Sequence, residues 1–157
     1  MEKIRVSQIE VYTDGSFTPP NKCGYGIYYG NILPSISRKF KGTEPSNNRA
    51  ELQAIYVALI QIIKKVKTNK VIIYSDSNYC IQSITKWAKV WEKNKWKTAQ
   101  NQDVKNQDII KPIYNIYIKN KDKIEFIHIG AHTGKQDKHS LSNEIADKLA
   151  KEGACKK

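Results

Sequence analysis

The chain has 157 residues and a formal net charge of +12 at pH 7. That length fits a single domain over residues 1–157, and three widely separated cysteines indicate neither a disulfide framework nor a zinc site. The excess of positive charge favours a polyanionic partner, with nucleic acid as the leading candidate and a merely solvated lysine-rich surface as the alternative.

The N-terminal segment MEKIRVSQIE lacks the apolar run of a signal peptide. No apolar stretch approaches the length needed to cross a bilayer. We therefore expect an intracellular protein, cytoplasmic or nuclear, that does not associate with a membrane.

Short strand-like segments open the chain, separated by Gly, Pro and Asn residues that favour turns. They cover Gln8–Thr13, Gly24–Gly30 and Ser35–Lys41 and predict an antiparallel meander. Apolar residues then recur at helical spacing over Asn48–Lys65, which predicts a long amphipathic helix. The run KVIIY at Lys70–Tyr74 predicts a strand that is buried on both faces.

The second half of the chain alternates helical and strand patterns. Helices are predicted at Asn78–Trp91, Gln107–Ile118 and Asn143–Glu152, with a strand at Lys123–Ile129. Pro112 is expected to kink or delay the second of these helices, because proline has no amide donor. This order predicts an α/β fold on a mixed sheet, antiparallel at first and parallel after the crossovers, with ligands near the carboxyl ends of the parallel strands.

Four acidic residues lie at or near the ends of these elements: Asp14, Glu51, Asp76 and Asp147. Each has a structural alternative when taken alone. The first fits a hairpin turn with the glycine that follows it, and the second fits a capping pair with Asn48. The third could cap the next helix, and the fourth could pair with Lys151 four residues later.

Motifs throughout the chain carry a family resemblance. They are YTDGS at Tyr12–Ser16, SNNRAEL at Ser46–Leu52, YSDSNY at Tyr74–Tyr79, WAKVWEKNKWKT at Trp87–Thr98, AHTG at Ala131–Gly134 and NEIADKLAKEGA at Asn143–Ala154. In this order they resemble the type 1 ribonuclease H family. The resemblance implies a ribonuclease H-like fold, with a five-stranded mixed sheet flanked by helices. It also implies an endoribonuclease that cuts the RNA strand of RNA–DNA hybrids without sequence preference, leaving 5′-phosphate and 3′-hydroxyl ends.

The resemblance implies that the four acids are catalytic and bind metal. Two carboxylates about 4 Å apart repel by roughly 4 kcal/mol at an effective dielectric near 20, and divalent cations relieve that repulsion. An all-oxygen ligand set favours Mg²⁺, with Mn²⁺ as the expected substitute. Two ions about 3.5–4 Å apart can hold the attacking water and the leaving oxygen, which is the mechanism that the resemblance implies.

Histidines are candidates for proton transfer. His132 resembles the mobile histidine of the family, which suits proton transfer or release of the cleaved phosphate. The segment KQDKHSLS makes the loop between His132 and Asp147 longer than is usual in the family, and His139 within it is an alternative candidate. His128 lies in a predicted strand, where we expect a packed or hydrogen-bonded residue without a catalytic role.

Contacts to the two nucleic-acid strands follow from the resemblance. Those to the RNA strand are Gly15, Ser16, Asn47, Asn48 and Ser77, and an asparagine amide can both donate to and accept from a 2′-hydroxyl. Those to the DNA strand are Ser46, Trp87, Trp91 and Asn106. The two tryptophans share a helical face near several lysines, a pattern that in an unrelated protein would indicate core beside solvent. Glu44 stands where some relatives have arginine, which implies a weaker grip on a DNA phosphate.

Two alternative functions remain at this point. One is a catalytically silent module that binds RNA–DNA hybrids. The other is a nuclease of the same fold that acts on DNA junctions or belongs to a reverse transcriptase, as a piece of a polyprotein. No protein partner is inferred, and a monomer is expected.

Overall fold

The computed structural model describes residues 2–130 and 137–157. Its strands are β1 (Ile4–Arg5), β2 (Gln8–Thr18), β3 (Lys22–Tyr28), β4 (Ile36–Lys39), β5 (Val66–Lys67), β6 (Lys70–Ser75) and β7 (Ile124–His128). Its helices are α1 (Asn47–Lys65), α2 (Asn78–Gln82), α3 (Ala88–Lys93), α4 (Gln107–Lys119) and α5 (Lys138–Ala154), and a π-helical segment at Ser83–Trp87 joins α2 to α3. Among these helices, none combines the length and the apolar character needed to cross a membrane.

Five strands form the central sheet in the order β4–β3–β2–β6–β7. The pairs of β2 with β3 and of β3 with β4 are antiparallel, whereas β6 pairs in parallel with both β2 and β7. This arrangement confirms the predicted mixed sheet. The two-residue strands β1 and β5 pair separately and were not predicted, because a strand of two residues carries no periodic signal.

The two faces of the sheet bury different clusters, because successive side chains of a strand point to opposite faces. Ile9 and Val11 of β2 belong to the main core, which includes residues of α1 and α4. Tyr12 points to the other face, where it packs with Ile72, Tyr74 and α5. The sheet is therefore covered by helices on both sides.

Helix α5 lies unusually close to β3, because glycines line the contact. A Cβ built on Gly26 would lie 2.5 Å from the carbonyl oxygen of Ala146 and 2.6 Å from the amide nitrogen of Ala150. A Cβ on Gly24 would overlap the backbone at Ala154. Since Gly26 pairs with Asp14 of β2, this contact sets the distance between the helix and the centre of the sheet.

The structure corrects several predicted boundaries. Strand β2 continues to Thr18, so Asp14 lies inside a strand and not in a hairpin turn. Helix α1 is capped by Ser46, whose Oγ accepts a hydrogen bond from the amide of Arg49, so Asn48 is not the cap. Helix α4 begins at Gln107 and continues through Pro112 without the expected delay.

The largest correction concerns α5, which begins at Lys138 and not at Asn143, with Asp137 as its cap. The added turn is fixed to the sheet by His139, whose Nδ1 lies 2.6 Å from the Tyr12 hydroxyl and whose ring centroid lies 4.6 Å from that of Tyr74. Most of the inserted segment KQDKHSLS therefore extends a helix where the sequence suggested a longer loop.

Replacing Gly26 with alanine is expected to lower the free energy of unfolding by about 2 kcal/mol or more, because the added methyl group would overlap the backbone of α5. Urea unfolding followed by circular dichroism measures the change. Gly30→Asn is the control, since Gly30 has a φ of +59° that asparagine tolerates and has open space around it. Equal losses in both variants would contradict the close packing of α5.

Candidate active site

Three acidic side chains converge at one end of the sheet. Asp14 lies in the middle of β2, Asp76 directly follows β6, and Glu51 lies in the second turn of α1. One ligand oxygen from each lies within 4.8 Å of the other two. The three residues are separated by dozens of positions in the sequence, so their proximity is a product of the fold.

A direct contact between β2 and α1 brings two of these acids together. The amide of Gly15 donates to Oδ1 of Asp14 and to Oε1 of Glu51, each at 2.8 Å. A Cβ on Gly15 would lie 2.6 Å from the amide nitrogen of Glu51, so only glycine allows this approach. Glu51 therefore accepts its hydrogen bond from strand β2 and not from the start of its own helix. The capping interpretation considered from the sequence is wrong.

Burial and mutual repulsion disfavour negative charge in the cluster. Asp14 and Glu51 are only 4% and 5% exposed. The pKa of Asp14 is raised to about 7: burial is the largest cause, the nearby charge of Asp76 acts in the same direction, and the hydrogen bond with Glu51 acts against them. The pKa of Glu51 is raised well above its usual value, first by burial and then by Asp14.

Asp147 approaches the cluster from α5. It lies close enough to Asp14 to raise the pKa of that carboxyl group. Its Oδ2 is 3.0 Å from Nζ of Lys151, so the predicted ion pair between these two residues is present as well. Within the described residues, the group whose ligand atoms lie within 4.8 Å contains the other three acids and not Asp147.

The donor set fits a hard divalent cation. Every candidate ligand atom is a carboxylate oxygen, which is the ligand type that Mg²⁺ and Mn²⁺ prefer. Oε2 of Glu51 is buried and has no hydrogen-bond partner among the described residues, a costly arrangement that a cation would relieve. The site therefore has the charge, the chemistry and an unsatisfied oxygen suited to a divalent ion.

The histidines have different positions. His132 lies outside the described residues, so its predicted role stays a prediction. His139 contacts Tyr12 and Tyr74 and is eight positions before Asp147 in α5, about 12 Å along the helix axis. His128 is exposed, and its Nε2 lies 3.2 Å from the carbonyl oxygen of Asp76, so it is hydrogen-bonded as expected but is not a core residue.

The residues predicted to contact RNA surround the acids. Asn47 and Asn48 are exposed in the first turn of α1, one turn before Glu51 and on the same side of the helix. Ser77 is half-buried and caps α2 through Oγ, which leaves Asp76 without the capping role considered from the sequence. Gly15 and Ser16 continue β2 beyond Asp14, and both are partly exposed.

The residues predicted to contact DNA differ in position and in exposure. Trp87 and Trp91 lie side by side with ring centroids 6.0 Å apart, and Trp87 is 39% exposed. Asn106 is buried, with Nδ2 donating to the Tyr79 hydroxyl at 3.0 Å, and it precedes α4 without a side-chain capping bond. Ser46 is half-buried at the start of α1.

One supporting residue was missed from the sequence. Arg49 is buried and makes two hydrogen bonds, of 2.8 and 2.7 Å, with the carboxylate of Asp108 at the start of α4. This fork-like pair ties the start of α1, and with it Glu51, to the helix behind it. The only indication of this pair in the sequence was the arginine inside the motif SNNRAEL. A motif does not show which acidic residue an arginine binds in the fold.

Comparison with known proteins assigns the family. A family model described as RNase H matches residues 6–155. The chain is 38% identical to Ribonuclease H of Schizosaccharomyces pombe over 92% of this chain and 52% of that protein, and 36% identical to Ribonuclease H of Actinobacillus pleuropneumoniae over 93% and 90%. It thus spans about half the length of some curated relatives. The solution structure of the PFV RNase H domain matches with a TM-score of 0.72 and 26% identity over 93% of each chain. With the acidic cluster in place on this sheet, the match along almost the whole sequence shows that the chain belongs to the RNase H family.

Proposed function

We propose that this protein is an endoribonuclease that hydrolyses the RNA strand of RNA–DNA hybrids without sequence preference and acts as a monomer. The observation that carries the proposal is the convergence of Asp14, Glu51 and Asp76 within 4.8 Å in a chain of the RNase H family. The expected products have 5′-phosphate and 3′-hydroxyl ends.

The four acids are proposed to hold two Mg²⁺ ions, with Mn²⁺ as a substitute. When bound, such ions would polarise the scissile phosphate and activate an attacking water. Asp14 would contribute at the centre of the site, because it interacts with both Glu51 and Asp147. Asp147 also forms an ion pair with Lys151, so a cation would have to compete with that ammonium group. His132 is proposed to assist proton transfer or product release.

Selection of RNA is proposed to depend on the exposed amides of Asn47 and Asn48. Both residues lie one turn before Glu51, so groups that bind a 2′-hydroxyl would lie beside the reacting phosphate. Gly15, Ser16 and Ser77 would add contacts from the neighbouring strand and helix ends.

The DNA strand is proposed to lie across the surface of Trp87 and Trp91, with Ser46 and Asn106 near a phosphate. The exposed face of Trp87 can pack against a sugar, and the lysines at positions 86, 89 and 93 lie on the same helical segment. The amide nitrogen of Asn106 already donates to Tyr79, so phosphate binding at this residue would require that bond to be exchanged.

Cleavage specificity tests the proposal directly. Labelled RNA–DNA hybrid, duplex RNA, single-stranded RNA and duplex DNA would each be incubated with Mg²⁺ or with a chelator. Only the RNA of the hybrid should be cut, and only with Mg²⁺. Binding of the hybrid without cleavage would indicate a silent module, and cleavage of duplex DNA or of DNA junctions would indicate a different nuclease of this fold.

Asp14→Asn is expected to reduce kcat by at least about a hundredfold, because it removes a metal-binding charge while keeping the side-chain shape. Hybrid affinity, measured by fluorescence anisotropy in chelator, should stay within about threefold of wild type, since most of the proposed contacts to the two strands lie on other residues. Asp122→Asn is the control, because Asp122 is exposed in the turn before β7. A similar loss of kcat in both variants would contradict the assigned role.

In chelator, the free energy of unfolding should decrease as pH rises from about 4 to about 7. The carboxyl group of Asp14 has a folded-state pKa of about 7 against an ordinary value of 3.8, so in this window the folded state binds more protons than the unfolded state. Urea unfolding at several pH values measures the slope, which should be smaller in Asp14→Asn. Saturating Mg²⁺ should stabilise the wild-type protein most at the upper end of the window, and an unchanged slope in the variant would refute this assignment.

Trp87→Ala is expected to raise KM for the hybrid by about fivefold or more and to leave kcat unchanged, because an aromatic contact to nucleic acid is worth about 1–3 kcal/mol. Steady-state kinetics separates the two constants. Val90→Ala is the control, since Val90 is an exposed apolar residue on the same helical segment. A change confined to kcat would place Trp87 outside the DNA-binding surface.

A further inference from the structure

A cavity lies between the C-terminal part of α1, strand β4 and the segment at 29–36. Its volume is about 220 Å³, and its polar lining consists of Tyr29, Ser35, Arg38, Gln61 and Lys65. Gln61 and Lys65 follow Glu51 in α1 by 10 and 14 positions, which corresponds to roughly 15 and 21 Å along the helix axis. The cavity is therefore separate from the acidic cluster.

Tyr29 contributes a buried hydroxyl group that lacks a partner. The residue is 1% exposed, and its hydroxyl has no hydrogen-bond partner among the described residues. Tyr28 shares the α5 face with Tyr12, so the next side chain in the segment, Tyr29, points to the α1 face, where it joins the main core. An unpaired buried hydroxyl costs about 1–3 kcal/mol, so this one is suited to a ligand that accepts a hydrogen bond.

The charged groups around the hydroxyl are cationic. Arg38 is near enough to lower the pKa of the Tyr29 phenol, although burial has the larger effect and keeps the group protonated at neutral pH. Neither Arg38 nor Lys65 forms an ion pair with another residue in the part of the chain that the structure describes. The lining contains no acidic residue.

The backbone supports this arrangement. A Cβ on Gly153 of α5 would overlap the backbone of Arg38, so this part of β4 is held firmly against the helix. Arg38 lies opposite Tyr25 of β3, which fixes the strand that carries it. Arg38 thus lines the cavity from a rigid strand, and a guanidinium group has planar donors suited to phosphoryl oxygens.

We propose that this cavity binds a phosphate dianion, inorganic phosphate or a terminal phosphate monoester, with Tyr29 donating a hydrogen bond and Arg38 and Lys65 supplying the positive charge. Two cations balance a dianion, whereas a carboxylate or a phosphodiester would leave one positive charge uncompensated. Gln61 and Ser35 add neutral donors for the remaining oxygens. The site is independent of the proposed cleavage reaction.

Inorganic phosphate titrations at constant ionic strength, in chelator, test the site by isothermal calorimetry and by thermal unfolding. Wild-type protein should gain stability as phosphate is added, because a ligand that binds the folded state stabilises it. In Tyr29→Phe and in Lys65→Gln, Kd should rise by about fivefold or more, as expected for loss of a hydrogen bond to a charged group. Wild-type affinity in Tyr29→Phe would overturn the proposal.

Two comparisons separate this site from general attraction to a basic protein. Lys64→Gln removes the same charge from the neighbouring position outside the cavity and should leave Kd unchanged; a rise equal to that of Lys65→Gln would overturn the proposal. Without phosphate, Tyr29→Phe should unfold at the same or a higher temperature than wild type, because it removes an unpaired hydroxyl.

The source of the phosphate can be distinguished with oligonucleotides. Tyr29→Phe should weaken binding of a 5′-phosphorylated oligonucleotide more than binding of the same unphosphorylated strand if a terminal monoester enters the cavity. A preference for inorganic phosphate over both strands, lost in the variant, would support the free anion. Equal weakening of the two strands would contradict the assignment of a dianion.

Discussion

Repulsion between carboxylates that the fold holds close together is the main constraint on the acidic cluster. Asp14 and Glu51 share the amide of Gly15 and are almost fully buried, while Asp76 joins them from the neighbouring strand. Asp14 and Glu51 cannot separate unless α1 moves away from β2, because both accept a hydrogen bond from the same amide. The stability of the hydrophobic core therefore keeps the site ready for cations, at the cost of raised pKa values in their absence.

The net charge of the chain and the charge of the acidic cluster have opposite signs. The chain as a whole carries +12, yet its buried acids gather at one place. A net positive charge would attract a polyanionic strand over a distance, whereas the local negative cluster would attract divalent ions at short range. Under the proposed function the two fields would act together, because a phosphate could approach the carboxylates only with cations between them.

Much of this architecture was predictable, because hydrophobic periodicity marks long elements and the order of the motifs gives the topology. The mixed sheet and α1 followed from those signals, and the family resemblance pointed to Asp14, Glu51 and Asp76, which the fold brings together. The details that escaped prediction depend on contacts between distant segments. Nothing in the sequence near Asn143 indicates that His139 binds Tyr12, and the sequence of SNNRAEL does not reveal that Ser46 caps the helix while Arg49 pairs with Asp108.

The extra turn of α5 has a mechanical consequence. Asp147 lies between two attachments of α5: it is three positions before Ala150, whose backbone contacts Gly26, and eight positions after His139, which contacts Tyr12. A helix fixed at two points bends far less than one fixed at a single point, so the backbone that carries Asp147 has little freedom to move relative to the sheet. The additional residues before Asp147 thus hold α5 more firmly against the sheet, whereas residues added to a loop usually increase its freedom to move.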